Sequence, residues 1–165
     1  MDSAADWESR LSDLWGSIDD FTESEFRARM DQLCGALPEG SAVAAFERAS
    51  AFDSTGHSDM AIPLYREALA GGLEGMRRRR ATIQLASSLR NLGQAAESIA
   101  LLRAEQRAGS DELDDALSAF LALALADSGR EREGLSLALT ALAPHLPRYQ
   151  RSLAGYAADL TTEDD

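Results

Sequence analysis

Three glycines recur along the chain at nearly constant intervals, and this spacing constrains the fold more than any other feature. Gly56, Gly93 and Gly129 are separated by 37 and 36 residues. Each follows a small residue by seven positions and a bulky apolar residue by four, and precedes a second small residue by five. In chain order, these residues are Ala49, Phe52 and Ala61, then Ala86, Leu89 and Ser98, then Ala122, Leu125 and Gly134. Because a period of about 34 residues is typical of two-helix repeats, the spacing predicts an array of helical hairpins.

Close packing of two helices explains why these residue types occupy these positions. A small and a bulky residue three apart share one face of a first helix. The glycine ends that helix, because a residue without Cβ enters the left-handed region at little cost. The second small residue stands early in the next helix, where it lets the two backbones approach. Two further positions are filled by Tyr65, Leu102 and Ala138 and by Ala68, Glu105 and Ala141, of which Ala138 and Glu105 fit poorly. No segment alternates with period two, so no strand is predicted.

A separate helical hairpin is predicted in residues 1–40. One apolar stripe of its first helix comprises Trp7, Leu11, Leu14, Trp15 and Ile18. Thr22 and Glu25 then form a capping-box sequence at the start of a second helix. An uncapped terminal repeat would expose an apolar face, so this hairpin is interpreted as the N-terminal cap of the array.

The chain after residue 143 is predicted to close the other end. Residues 41–143 hold the three repeats, and residues 144–160 hold a capping helix from Arg148 to Leu160. The predicted inward stripe of that helix consists of Tyr149, Leu153, Tyr156 and Leu160. The acidic tail 161–165 is expected to be disordered.

The repeat segments resemble the tetratricopeptide repeat family. They read AVAAFERASAFDSTGHSDMAIPLYREAL, RRATIQLASSLRNLGQAAESIALLRAE and DALSAFLALALADSGREREGLSLALTAL, and they cover residues 42 to about 143. The similarity is to a compact bacterial group of these proteins whose function is unassigned. It implies an all-α fold, a right-handed α-α superhelix (solenoid) of about three helical hairpins. It also implies a non-enzymatic protein-binding scaffold.

Composition argues against several classes of partner. The formal charge of −12 disfavours nucleic acid and anionic membranes. The longest apolar run has eight residues, against roughly twenty for a membrane span. No signal peptide is indicated, and the single cysteine, Cys34, is interpreted as a small buried hydrophobe in a reducing compartment, so a cytoplasmic location is expected.

No motif in the sequence indicates a catalytic site. The chain has two histidines, His57 at a repeat turn and His145 between two prolines. Their spacing offers no metal site, and no phosphate-binding loop or nucleophile motif occurs. No enzyme activity, metal or cofactor is therefore expected.

Charge is distributed unevenly along the chain. Residues 1–40 carry ten acidic residues and three arginines, whereas residues 77–103 carry six arginines and one glutamate. The resemblance implies that the first helix of each repeat lines a concave groove. Carried onto this chain, that gives the candidate peptide-binding residues Phe46, Ser50, Arg80, Ile83, Gln84, Ser87, Arg90, Asn91, Phe120 and Leu123. A competing interpretation makes Arg77–Arg80 a solvated helix start with intramolecular acidic partners.

Two functions remain open at this stage. The first is a binding module for a peptide with carboxylates and an apolar anchor, since arginine pairs with carboxylate in a bidentate way. The paired-carboxylate clamp known in the family is not implied, because Ile83 and Ser87 occupy its positions. The second is a protein that self-associates, for example as a homodimer, or is autoinhibited. In either case its groove holds its own or a neighbour's acidic segment.

Overall fold

The computed structural model describes residues 4–162, and within that range it contains nine α-helices and no strand. The helices are α1 (Ala4–Gly16), α2 (Glu23–Cys34), α3 (Ala42–Ser54), α4 (Ser58–Ala70), α5 (Gly75–Asn91), α6 (Ala95–Ala108), α7 (Asp114–Ala126), α8 (Glu131–Leu142) and α9 (Gln150–Asp159). Short 3₁₀ turns lie at Ile18–Asp20 and Ala143–His145. The predicted all-α helical-repeat class is confirmed.

The chain divides into two compact units, Met1–Ala81 and Thr82–Asp165. The core of the first unit joins α1, α2 and α3 through Trp7, Leu11, Phe26, Met30, Leu33, Cys34, Ala44 and Ala51. The core of the second unit joins α5, α6 and α7 through Ile83, Ala86, Leu102, Leu117, Leu121 and Leu125. Each core therefore draws on the apolar faces of successive helices, as repeat packing requires.

The recurring positions occupy the places that helix packing predicts. Gly56, Gly93 and Gly129 have φ values of 77°, 76° and 75° and end the first helix of each pair in the left-handed region. The small residues on both helices are buried, from Ala49 and Ala61 in the first pair to Ala122 and Gly134 in the third. Glu105 is buried as well, although a small residue was expected at its position.

The contact between α7 and α8 leaves no room for a side chain at the second small position of its pair. A Cβ placed on Gly134 would lie 2.6 Å from the carbonyl oxygen of Ala122. Since that oxygen belongs to the backbone, a side chain cannot be accommodated unless one helix moves. Glycine is therefore required at this position by the distance between the two helices.

The N-terminal hairpin begins its second helix as predicted. The Thr22 hydroxyl accepts a hydrogen bond from the Glu25 amide at 3.4 Å, and the Thr22 amide donates to Glu25 Oε2 at 3.0 Å. The indole Nε1 of Trp7 donates to the Leu33 carbonyl at 2.9 Å, so α1 is tied to α2 by a buried polar bond as well as by apolar contact.

The last helix differs from its prediction. The helix begins at Gln150, and Tyr149 precedes it in the left-handed region with φ 70°. Tyr149 and Tyr156 are 77% and 69% exposed, so the predicted stripe of two tyrosines and two leucines is wrong. The inward face instead consists of Leu153, Ala157 and Leu160, which follow the spacing i, i+4, i+7. Tyr149 misses this face because its backbone departs from helical geometry.

Part of the predicted acidic tail, Glu163–Asp165, lies outside the described residues. Its expected disorder and the sequence-based domain limits stay predictions.

Replacing Gly134 with alanine should destabilise the protein by about 1–3 kcal/mol, the usual cost of overpacking. Gly155→Ala on α9 is the matched control. Its Cβ would meet nothing within 4 Å, and glycine costs roughly 0.5–1 kcal/mol against alanine inside a helix. Urea unfolding of both variants measures the difference. Equal effects of the two substitutions would contradict the close approach of α7 and α8.

Cys34 should react slowly in the folded protein. Burial raises the pKa of its thiol from 9.0 to about 11, which lowers the thiolate fraction at pH 8 by about 100-fold. Iodoacetamide should therefore alkylate Cys34 at least about 100-fold more slowly in the native chain than in urea. Between pH 9 and 11 the thiol ionises in the unfolded chain but not in the folded one. The contribution of Cys34 to the free energy of unfolding therefore falls as the pH rises through this range. Equal alkylation rates in the two states would contradict this burial.

Candidate protein-interaction surface

The predicted site residues of the first unit are mostly in its core. Phe46 and Ser50 on α3 are 0% and 1% exposed. The ring of Phe46 lies 6.2 Å from that of Tyr65 and 5.2 Å from the guanidinium carbon of Arg80. In this structure a partner has no access to Phe46 or Ser50, so binding through them would require this unit to rearrange. Their role in binding stays a prediction.

The arginine run Arg77–Arg80 is less solvated than a free helix start. Arg79 is buried, and Arg77 and Arg78 are half-buried. Arg80 is exposed and stacks on Phe46.

Arg77 belongs to a network that joins three helices of the first unit. Its Nη1 and Nη2 donate to the two carboxylate oxygens of Glu8 on α1, at 3.0 and 2.6 Å. Its Nε donates to Glu47 on α3 at 3.1 Å, and Trp15 Nε1 donates to the other oxygen of that carboxylate, also at 3.1 Å. Glu47 is buried, so it depends on these donors.

The same network raises the pKa of Arg77. The hydrogen bonds to Glu8 are the largest cause, and those to Glu47 add to them against the opposing effect of burial. Acidic partners for the arginine run were one interpretation of the sequence, but Glu47 was not among the residues it identified. The one sequence signal for Glu47 is that it is the only carboxylate in the apolar stretch AVAAFERASAF. Its burial depends on residues about thirty positions away, Trp15 and Arg77.

The second unit presents its predicted site residues on two helices. On α5, Gln84, Ser87 and Arg90 are half-buried and Asn91 is exposed, whereas Ile83 is in the core. The spacing 84, 87, 91 puts three of these polar side chains on one face of the helix.

On α7 the predicted residues are apolar. Leu123 is 46% exposed, and Phe120 is half-buried against the core of the unit. Phe120, Leu123 and Asp127 follow i, i+3, i+7 and share a face. The α7 part of the predicted site thus keeps apolar surface in contact with solvent.

An ion pair connects the two helices. Arg90 Nη1 donates to Asp127 Oδ2 at 2.9 Å, and Arg90 Nη2 donates to Asn91 Oδ1 at 3.4 Å. Arg90 Nε is buried and has no acceptor among the described residues. The pair places a guanidinium at Asp127, which comes one helical turn after Leu123. We call the set Gln84, Ser87, Arg90, Asn91, Phe120 and Leu123 the α5–α7 surface.

A comparison with known protein families decides the relationship that the repeat positions suggest. The sequence model for tetratrico peptide repeats matches residues 42–160. The chain belongs to the tetratricopeptide repeat family. The match includes all three helix pairs that carry the recurring glycines and continues through α9. Tetratricopeptide repeats mediate protein–protein interactions and are typically non-enzymatic.

No curated protein and no solved structure matches the chain.

The described part of this tetratricopeptide repeat protein shows no group of metal ligands and no helix that is both long and apolar enough to cross a membrane. Its two histidines make bonds at turns. His57 Nδ1 lies 2.6 Å from the Thr55 carbonyl oxygen, and His145 Nε2 lies 2.8 Å from Asp115 Oδ2.

Substituting Arg77 with glutamine should destabilise the first unit by about 2–3 kcal/mol, because it leaves the buried carboxylate of Glu47 without its cation. Glu47→Gln combined with Arg77→Gln should cost less than the sum of the single changes, with a coupling of about 1–2 kcal/mol. Arg107→Gln, an exposed position on α6, should change stability by less than about 0.5 kcal/mol. Additive effects in urea unfolding would show that the two side chains do not depend on each other.

Proposed function

We propose that this tetratricopeptide repeat protein is a non-enzymatic interaction module whose α5–α7 surface binds a peptide segment carrying a carboxylate and an apolar side chain. The observation that carries the proposal is the Arg90–Asp127 ion pair, whose aspartate comes one helical turn after the exposed Leu123. A cation and an apolar patch within one helical turn of each other offer two different contacts to one short segment.

Arg90 provides the contact for the carboxylate. Asp127 uses one of its terminal nitrogens, and Asp127 itself is about half exposed, so an incoming carboxylate can share or replace it. The hydrogen bonds of Arg90 to Asp127 and Asn91 hold the guanidinium in position, which reduces the entropy lost on binding. Ser87 and Asn91 line the same side of α5 as Gln84 and can hydrogen-bond to the backbone of the bound segment.

Leu123 and Phe120 provide the contact for the apolar anchor. A leucine that is nearly half exposed on α7 gains by being covered, at about 25 cal/mol per Å² of apolar surface removed from water. The apolar contact supplies affinity, and the ion pair with Arg90 favours partners that carry an acidic residue close to their anchor.

The overall charge of the chain requires that an acidic partner be recognised by short-range contacts. With a formal charge of −12, the protein repels acidic partners at long range, so an acidic segment must gain its affinity from close contact with Arg90. Binding of this type weakens only moderately with added salt, in contrast to binding of nucleic acid. A reducing cytoplasm, in which Cys34 stays a free thiol, is the location we propose.

A second candidate function is supported by the first unit. In this unit Glu8 of the acidic helix α1 pairs with Arg77, which also pairs with Glu47, and Trp15 of α1 donates a hydrogen bond to Glu47. An acidic helical ligand with an aromatic anchor would make the same contacts. In this alternative the chain is autoinhibited or self-associating, because an acidic segment of its own or of a neighbouring copy holds the arginines that a partner would use.

Selection of peptides from a random library on the immobilised protein tests the first candidate. We expect enrichment of sequences with an Asp or Glu near a large apolar residue. For a selected peptide, Arg90→Gln should lower the affinity about 10-fold or more, since a hydrogen bond to a charged group contributes roughly 1.5–3 kcal/mol. Leu123→Ala should lower it as well, and Arg107→Gln, which removes an exposed arginine outside the surface, should leave it within about twofold.

The same peptide separates the two candidates. If α1 competes with partners, Glu8→Gln should raise the affinity for the peptide by loosening α1. If the α5–α7 surface acts alone, Glu8→Gln should have no effect. Selected peptides without acidic residues, or full affinity in Arg90→Gln, would overturn the first candidate.

A further inference from the structure

A second arginine-lined surface lies in the second unit, apart from the α5–α7 surface. It is a cleft of about 670 Å³ between the first turn of α8 and the end of α9, with Arg103 of α6 at its side. Leu137 and Leu160 form its apolar wall. The peptide proposal does not use this cleft.

Cations outnumber carboxylates in the cleft. It is lined by the three arginines Arg103, Arg130 and Arg132 and by two glutamates. Glu133 accepts from both Arg103 and Arg130, so one carboxylate serves two guanidinium groups. Glu131 is the second and is exposed. Each arginine has five N–H donors, so acceptors are in short supply here.

The chain itself leads into this cleft. Arg132 Nε donates to the carbonyl oxygen of Leu160 at 3.2 Å, and this bond fixes the end of α9 against the first turn of α8. Thr161 lines the cleft, and Glu163, Asp164 and Asp165 follow it in sequence. Consecutive Cα atoms are about 3.8 Å apart, so the chain can extend at most about 8 Å in the two residues that follow Thr161. Glutamate and arginine side chains can span such a distance.

We infer that the cleft formed by Arg103, Arg130 and Arg132 is a binding site for a short acidic segment, and that its occupant is the chain's own Glu163–Asp165. This inference replaces the disorder that the sequence alone predicts for the tail. The tether keeps these carboxylates at an effective concentration in the millimolar range, which compensates for the modest strength of each exposed ion pair. The acidic residues then neutralise the cleft, and an acidic segment from another protein has to displace them to enter it.

Relaxation of ¹⁵N-labelled full-length protein tests the inference. At low salt, the backbone amides of residues 163–165 should have order parameters above about 0.6, the boundary below which backbone is flexible. The combined change Arg103→Gln and Arg132→Gln should lower them below that value, as should about 0.5 M NaCl, which screens exposed ion pairs. Arg107→Gln, which removes an arginine of α6 outside the cleft, should leave them unchanged.

A tail variant makes the test independent of any effect of the arginine changes on folding. Glu163→Gln, Asp164→Asn and Asp165→Asn together should free residues 163–165 and shift the Nε–Hε signals of Arg103 and Arg132, but not that of Arg107. The inference is overturned if the wild-type tail has order parameters below about 0.6 at low salt, or if the tail variant leaves the arginine signals in place.

Discussion

The close approach of paired helices is the constraint on which the rest of the structure depends. It is most severe at Gly134, where a Cβ would lie 2.6 Å from the backbone oxygen of Ala122. Buried Ala61 and Ser98 occupy the equivalent positions of the other two pairs. Once two helices are held this closely, the faces that remain for the next pair and for solvent are determined.

The features that repeat along the sequence could be predicted, because they follow from local geometry. A glycine with positive φ and a buried small residue are required wherever two helices are joined and packed in this way. The burial of Phe46 and Ser50 and the exposure of Tyr149 and Tyr156 could not be predicted in the same way. Whether a helix face is covered depends on side chains far away in sequence. A single residue outside helical geometry, such as Tyr149, also shifts which positions face inward.

The arginines of the chain show how one residue type serves different purposes in one protein. Arg77 is held between Glu8 and the buried Glu47, and Arg80 covers the ring of Phe46, so both contribute to the first unit itself. Arg90 joins α5 to α7 while leaving apolar surface beside it. Sequence alone could locate this arginine-rich region but could not divide it, because the division depends on which carboxylates come within reach after folding.

We propose that the α5–α7 surface is the partner-binding surface of this tetratricopeptide repeat protein. A ¹⁵N chemical-shift titration with an acidic, apolar peptide selected on the protein tests that claim most directly, because it reports the position of binding without any substitution. We predict that the largest shifts fall on Gln84, Ser87, Arg90 and Asn91 of α5 and on Phe120 and Leu123 of α7. Shifts confined to other helices, with these six residues unchanged, would contradict the claim.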